Sequence, residues 1–143
     1  MPNGHGGPYS AHCRVHRFQL AKFGNVKTFF VFGVLPTADA NSIRTSSARA
    51  FRCAKASKSF PLPCGLFETV ISYAVVMIDR LDDHTAAAIR TETPTKHYAA
   101  CEIPVVYDRS RGALCYFEKT PLWGAAYYRG FRKQIERFLG NGG

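Results

Sequence analysis

The chain has 143 residues, which is the usual length of one globular domain. Its hydrophobic content of 46% and charged content of 20% are ordinary for a soluble protein, and no apolar run reaches the roughly 18 residues of a membrane span. The net charge is +9. Composition therefore favours a single domain without an integral membrane span, and excludes a chain that needs metals or disulfides to fold.

The positive charge is concentrated at the N-terminal side of the chain. Residues 1–66 carry nine lysines and arginines against one acid, Asp39. Such a composition is typical of an arm that lies on RNA, and also of an organelle targeting segment. We interpret residues 1–27 as a basic arm and keep the targeting segment as the alternative. A single domain then covers residues 28–139, and a glycine-rich tail follows at 140–143.

The first two segments of the domain predict a strand and a helix. Residues 28–35, TFFVFGVL, form a compact apolar run that predicts a buried strand. Residues 37–58 follow Pro36, offer Thr37 as a candidate N-cap, and predict a helix. The apolar residues expected on its inner face are Ala38, Ile43, Ala50, Phe51 and Ala54.

Residues 66–81 are ambiguous. Spaced apolar residues favour a helix, whereas the β-branched residues of the same run also suit a strand. Because sixteen residues is long for a strand, we favour the helix. Asp82 and Asp83 then predict the cap of a short helix over residues 84–91.

Two alternating runs predict a hairpin over residues 101–118. The first run, CEIPVVYD, places Cys101, Ile103, Val105 and Tyr107 on one face, and the second run is ALCYFEK. The connecting residues 108–112 have an aspartate at the entry and a glycine where positive φ is needed. Pro104 cannot donate to a ladder, which predicts either an edge strand or an amide position that faces solvent.

A period of 3.6 residues predicts an amphipathic helix over residues 124–139. Its aromatic and aliphatic side, expected to lie on the hairpin, consists of Tyr127, Tyr128, Phe131, Ile135, Phe138 and Leu139. The opposite side is cationic and includes Arg129, Lys133 and Arg137. The predicted fold class is α+β, with a short antiparallel sheet built from the hairpin and the strand near 28–35 and packed by helices.

Two groups of residues were considered as chemical sites. His12, Cys13 and His16, with His5, Cys53 or Cys64 as further ligands, lack the second close pair that structural zinc sites usually contain. Cys64, with His84 or His97 as a base, has neither an acid nor an oxyanion motif around it. Asp82, Asp83 and Glu92 near His84 are interpreted as helix caps. Phosphate-loop and catalytic-triad motifs are absent from the sequence, so we predict no cofactor, no metal and no enzymatic activity.

The five cysteines are an odd number in a chain without a signal peptide pattern. This predicts reduced thiols and an intracellular, reducing compartment, with the mitochondrion included.

The basic residues predict contact with a polyanion. Arg129, Lys133 and Arg137 recur every four residues, which places their Cα atoms about 6 Å apart on one side of a helix. Arg14, Arg17, Lys22 and Lys27 add charge from the arm. We therefore predict a non-catalytic structural subunit of a large assembly, most consistent with a ribosome-like ribonucleoprotein. The alternatives are a supernumerary subunit of an organellar respiratory or ATP-synthesising membrane complex, whose acidic subunits the arm would contact, and a small α+β ligand-binding domain or enzyme.

Overall fold

The computed structural model describes residues 12–17, 25–56, 68–97, 100–122 and 125–140, with side chains from residue 28 onward except at position 68. The elements in these residues are β1 (His12–Arg17), β2 (Asn25–Leu35), α1 (Ala40–Ala56), β3 (Glu68–Ile78), α2 (Asp83–Thr91), β4 (Lys96–His97), β5 (Ala100–Asp108), β6 (Ala113–Tyr116) and α3 (Ala125–Leu139). A mixed sheet with three helices confirms the predicted α+β class.

The sheet has the strand order β1-β2-β3-β5, and β4 and β6 pair one after the other along the outer edge of β5. β2, β3 and β5 are parallel, whereas β1, β4 and β6 are antiparallel to their neighbours. The prediction of an antiparallel sheet is therefore wrong for its centre. The reason is that α1 and α2 each return the chain to the end where the previous strand began, so the next strand runs in the same direction.

The central strand β3 corrects the prediction of a helix over residues 66–81. From Val70 to Ile78 every side chain except that of Met77 is buried. Helices cover both faces of the sheet here, so both faces of β3 are apolar and the alternation that marks a half-exposed strand is missing. The β-branched residues of the run were the better guide to its structure.

Helices α1 and α2 cover one face of the sheet, as their sequences predict. Ile43, Ala50, Phe51 and Ala54 of α1 are buried, and Ile43 shares an apolar cluster with Ala86 and Ile89 of α2. The cap of α1 differs from the prediction of Thr37. Asp39 accepts from the Ser42 amide at 2.8 Å, and the Ser42 hydroxyl accepts from the Asp39 amide at 2.9 Å. This reciprocal pair satisfies two amides at the start of the helix, which a lone threonine could not do.

The second helix begins where the sequence predicts. Asp82 is the N-cap of α2, and its carboxylate accepts from the Thr85 amide at 2.8 Å. The predicted hairpin is also confirmed, with β5 and β6 joined by a turn in which Gly112 has φ of 60°.

Pro104 lies at a position of β5 that neither β4 nor β6 pairs with, so its missing amide proton breaks no ladder hydrogen bond. The amide of Glu102 faces the outer edge of β5 and donates to the Thr95 carbonyl at 3.0 Å. Amides two residues apart in a strand point the same way, so the Pro104 nitrogen also faces that edge. There it lies between β4, which pairs with residues 100–101, and β6, which pairs with residues 105–108.

Helix α3 covers the other face of the sheet. Tyr128, Phe131 and Ile135 are buried against side chains of β2, β3 and β5, so the helix packs across the sheet and not on the hairpin alone. The phenol of Tyr73 donates to Gln134 Oε1 at 2.6 Å, and burial raises the pKa of Tyr73. Tyr127, predicted on the inner face, is 72% exposed, because it lies at the edge of the apolar arc in the first turn.

The predicted arm at residues 1–27 contains β1 and the first residues of β2, while residues 1–11 and 18–24 lie outside the described part of the chain. The tail at 141–143 also lies outside it. Among the helices described here, none combines the length and the apolar character that crossing a membrane requires.

Candidate functional site

The outer side of α3 carries the cations that the sequence predicts. Arg129, Lys133 and Arg137 are all exposed and follow one another at intervals of four residues. We call these three residues the α3 stripe. No carboxylate in the described part of the chain forms an ion pair with Arg129 or Lys133. Arg129 and Lys133 therefore present positive charge that no acid in the described residues neutralises.

Four other surface arginines are paired with acids. The ion pairs join Arg44 to Glu92, Arg90 to Glu118, Arg109 to Asp79, and Arg111 to Asp83. Exposed pairs of this kind contribute little to stability, but they cancel local charge. These four arginines therefore add less net charge to their surroundings than Arg129 and Lys133 do.

Two residues beside the stripe fix the position of α3. Arg132 donates to the carbonyls of Glu118 and Lys119 at 2.8 and 3.2 Å, and to the Thr120 hydroxyl at 2.8 Å. Glu136 accepts from the Tyr116 hydroxyl at 3.2 Å. The outer face is thus held in a defined orientation relative to β6 and the segment that follows it.

Aromatic side chains lie at both ends of the stripe. Tyr127 is 72% exposed and Phe138 is 37% exposed. The guanidinium carbon of Arg137 lies 5.5 Å from the centre of the Phe138 ring. Exposed aromatic rings next to cations can stack on bases while the cations contact phosphates.

The remaining predicted contact residues lie in or near the first two strands. Arg14 and Arg17 are in β1 and Lys27 is in β2, but their side chains, like all of Lys22, lie outside the described residues. The backbone of Arg14 pairs opposite Phe30, and the Phe30 ring contacts Phe138 at 5.5 Å. The C-terminal end of α3 therefore lies over the strand next to β1.

A second candidate site lies under α1, on the other face of the sheet. Glu102 of β5 is only 6% exposed, and its Oε1 lies 2.5 Å from Nε2 of His97 in β4. The His97 ring is stacked on Phe51 of α1, with centroids 4.3 Å apart and planes within 3°. Strand, edge strand and helix together hold this carboxylate and imidazole in one orientation.

A cavity of about 70 Å³ adjoins Glu102, between α1, α2 and β5. Its polar lining includes Ser47, Thr95 and Glu102, and its apolar lining includes Ile43, Ile89 and Pro104. Ser47 is buried, at 5% exposure. The ion pair of Arg44 with Glu92 also borders the cavity and is exposed to solvent.

The hydroxyl of Ser72 adds to the polar character of this region. It is fully buried and has no hydrogen-bond partner among the described residues. Ser72 of β3 is the register partner of Glu102, on the same face of the sheet. A buried polar group without a partner is uncommon in folded proteins, and Ser72 lies on the sheet next to Glu102, which borders the cavity. We therefore treat this cavity as a candidate binding site.

The acids near His84 form contacts within the fold, and the predicted capping role is confirmed for the Asp82 side chain. Asp82 caps α2, Asp83 pairs with Arg111 at 2.7 Å, and Glu92 pairs with Arg44. His97, considered as a base for Cys64, instead contacts Glu102, and Cys64 lies outside the described residues.

Of the three cysteines whose side chains are described, Cys101 and Cys115 are free thiols. Cys53 and Cys101 are half-buried, Cys115 is buried, and burial raises the pKa of both Cys101 and Cys115. Within the side chains that the structure describes, no three histidines, cysteines or acids come close enough to hold a metal ion. The candidate ligands His12, Cys13 and His16 lie in β1, whose side chains are not among them.

Comparisons with models of protein families, with curated proteins and with solved structures found no match to this chain.

Proposed function

We propose that this protein is a non-catalytic RNA-binding subunit of a large ribonucleoprotein assembly, and that the α3 stripe contacts RNA phosphates. The observation that carries the proposal is the line of exposed cations Arg129, Lys133 and Arg137, of which Arg129 and Lys133 have no carboxylate partner in the described chain. Cations spaced by about 6 Å along a rigid helix suit successive phosphates of one strand.

Three further features support the proposal. Tyr127 and Phe138 offer rings for base stacking at the ends of the stripe. The basic strand β1 lies beside the strand that the end of α3 covers. The net charge of +9 favours association with a polyanion. The proposal includes a reducing intracellular compartment, with the mitochondrion as one candidate, in which the free thiols would persist.

The test replaces all three stripe residues with glutamine, as Arg129→Gln, Lys133→Gln and Arg137→Gln in one variant. Fluorescence anisotropy with a labelled single-stranded RNA of mixed sequence measures the affinity across a series of salt concentrations. We expect wild-type affinity to fall steeply with salt, and the slope of log K against log salt to be shallower by about 2 in the variant, because three phosphate contacts are lost.

A second triple variant provides a control of equal charge. Arg52→Gln, Arg80→Gln and Lys119→Gln remove three other exposed cations, and we expect this variant to keep a slope close to that of the wild type. An equal loss in the two variants would show that net charge, and not the stripe, drives binding. RNA affinity that does not depend on salt would contradict the proposal and favour an acidic protein partner, such as a subunit of an organellar membrane complex.

A further inference from the structure

We propose that the cavity between α1, α2 and β5 binds a small primary ammonium ligand, with the Glu102 carboxylate as its counter-ion. This inference concerns the face of the sheet opposite the α3 stripe and does not depend on RNA binding. The cavity borders Glu102, Ser47 and Thr95, whose side chains supply oxygen acceptors from three different parts of the chain.

One oxygen of the Glu102 carboxylate is available to a ligand. Glu102 Oε1 is occupied by His97, whereas Oε2 accepts no hydrogen bond from any described residue. The hydroxyls of buried Ser47 and exposed Thr95 likewise form no hydrogen bond within the described chain. Glu102 and Ser47 are largely buried residues that border the cavity, so their oxygens can accept hydrogen bonds from a ligand placed there.

The chemistry of the lining selects the ligand class. A primary ammonium group has three N–H donors and no acceptor, which matches one carboxylate oxygen and two hydroxyls. Arg44 and Glu92 neutralise each other at the border of the cavity, so the counter-ion for a monocation there is the Glu102 carboxylate, paired with a neutral His97. A divalent metal is a poorer match, because it requires more ligating oxygens than one carboxylate provides.

The dimensions also limit the ligand. A cavity of about 70 Å³ exceeds the roughly 10–15 Å³ that one water needs. Ile43, Ile89 and Pro104 give it apolar walls against which a short alkyl group can pack. The site therefore suits an alkylammonium with few carbon atoms, or the ammonium end of a longer amine.

Methylammonium is the probe for a direct test by ¹H–¹⁵N NMR titration of the full chain at near-neutral pH. A ligand with two non-hydrogen atoms is expected to bind no more tightly than a Kd on the order of several millimolar, so chemical shifts are a suitable readout. We expect saturable shifts of the amides of Ser47, Thr95 and Glu102. Potassium chloride at equal ionic strength, and tetramethylammonium, which has no N–H donor, should not produce them.

Three variants locate the site. Glu102→Gln should weaken methylammonium binding by about tenfold or more, and Ser47→Ala by about two- to tenfold. Ala88→Leu fills the cavity from α2 while keeping the pair of His97 with Glu102, and should abolish binding even if Glu102→Gln fails to fold. The proposal is overturned if the wild type shows no saturable shifts, which would mean that the cavity holds water only. It is equally overturned if potassium chloride reproduces the shifts, or if Ala88→Leu binds methylammonium as the wild type does.

Discussion

At the scale of single residues, Asp108 joins the end of β5 to the segment after β3. Its side chain is 3% exposed, and Oδ2 accepts from the Leu81 amide at 3.2 Å. Oδ1 accepts from the Ser110 amide at 2.9 Å and the Ser110 hydroxyl at 2.7 Å. The hydroxyl of Ser110, followed by the backbone amides, holds the pKa of Asp108 below its ordinary value.

The depressed pKa of Asp108 predicts how stability responds to acid. Because the folded pKa lies below the unfolded one, the stabilisation is fully present above the unfolded pKa and is lost as pH falls through the folded pKa. The free energy of unfolding should therefore decrease from about pH 4 downward. Urea denaturation at a series of pH values measures this dependence in the wild type and in Asp108→Asn.

The Asp108→Asn variant cannot titrate at this position, so its stability should fall less over the same acid range. It should also be less stable than the wild type near neutral pH, because an amide nitrogen cannot accept the bonds that one carboxylate oxygen accepts. If the free energy of unfolding fell equally with pH in the wild type and in Asp108→Asn, the role given to Asp108 would be contradicted.

At the scale of elements, two glycines of the C-terminal third should respond in opposite directions. Gly130 lies on the exposed side of α3, and a Cβ atom added there meets no atom within 4 Å. Gly130→Ala should stabilise the protein by about 0.5–1 kcal/mol, because alanine is the better helix former. Gly112 has φ of 60°, so Gly112→Ala should destabilise by about 1–2 kcal/mol although its space is open.

Chemical denaturation with urea measures both variants, and an unchanged m value would show that stability alone has changed. A loss of stability in Gly130→Ala would mean that α3 does not continue as a regular helix through this position.

The strand at 28–35 and the elements with a clear turn or helical period could be predicted from the sequence, whereas the structure of β3 could not. The hairpin at 101–118 could be predicted from its alternation and its turn residues, and the helix at 124–139 from its period, because solvent meets one side of that helix. β3 has no such side, and its continuous apolar run fitted a helix as well as a strand. The parallel order of β2, β3 and β5 is also absent from any local pattern, since it depends on how α1 and α2 return the chain.

The two candidate sites also differ in how far they could be predicted from the sequence. The α3 stripe follows one helical repeat, so the exposed positions of its three cations could be predicted, while their contact with RNA stays a prediction. The cavity is assembled from Ser47, Thr95 and Glu102, which come from separate elements and meet only through the topology. Glu102 alternates with Cys101 and Ile103 in an extended run, a position that normally faces solvent. In the protein α1 covers that face, and no residue near Glu102 in the sequence indicated this.

At the scale of the whole molecule, the sheet lies between α1 and α2 on one face and α3 on the other. β3 is at the centre of this arrangement, paired with β2 and β5 and buried on both sides. Local opening cannot expose its amides without separating a helix and a neighbouring strand.

Native-state hydrogen exchange should therefore show the amides of β3 exchanging only through global unfolding. The amides of β4 and β6, which are short and lie at the edge, should exchange earlier through local opening. Adding low concentrations of denaturant should accelerate exchange in β3 most steeply, because global unfolding exposes the most surface. Equal protection across β3, β4 and β6 would contradict this layered order of stability.

The gap between β4 and β6, where Pro104 of β5 lies, affects how this edge of the sheet can associate with other chains. A long exposed edge strand is a template on which another chain can add a strand and begin to aggregate. On this side of the sheet the edge consists of two-residue β4 and four-residue β6, separated by a residue with no amide proton. An extended peptide can form a continuous ladder along no more than one of these short strands at a time, so this edge is protected against sheet-to-sheet polymerisation.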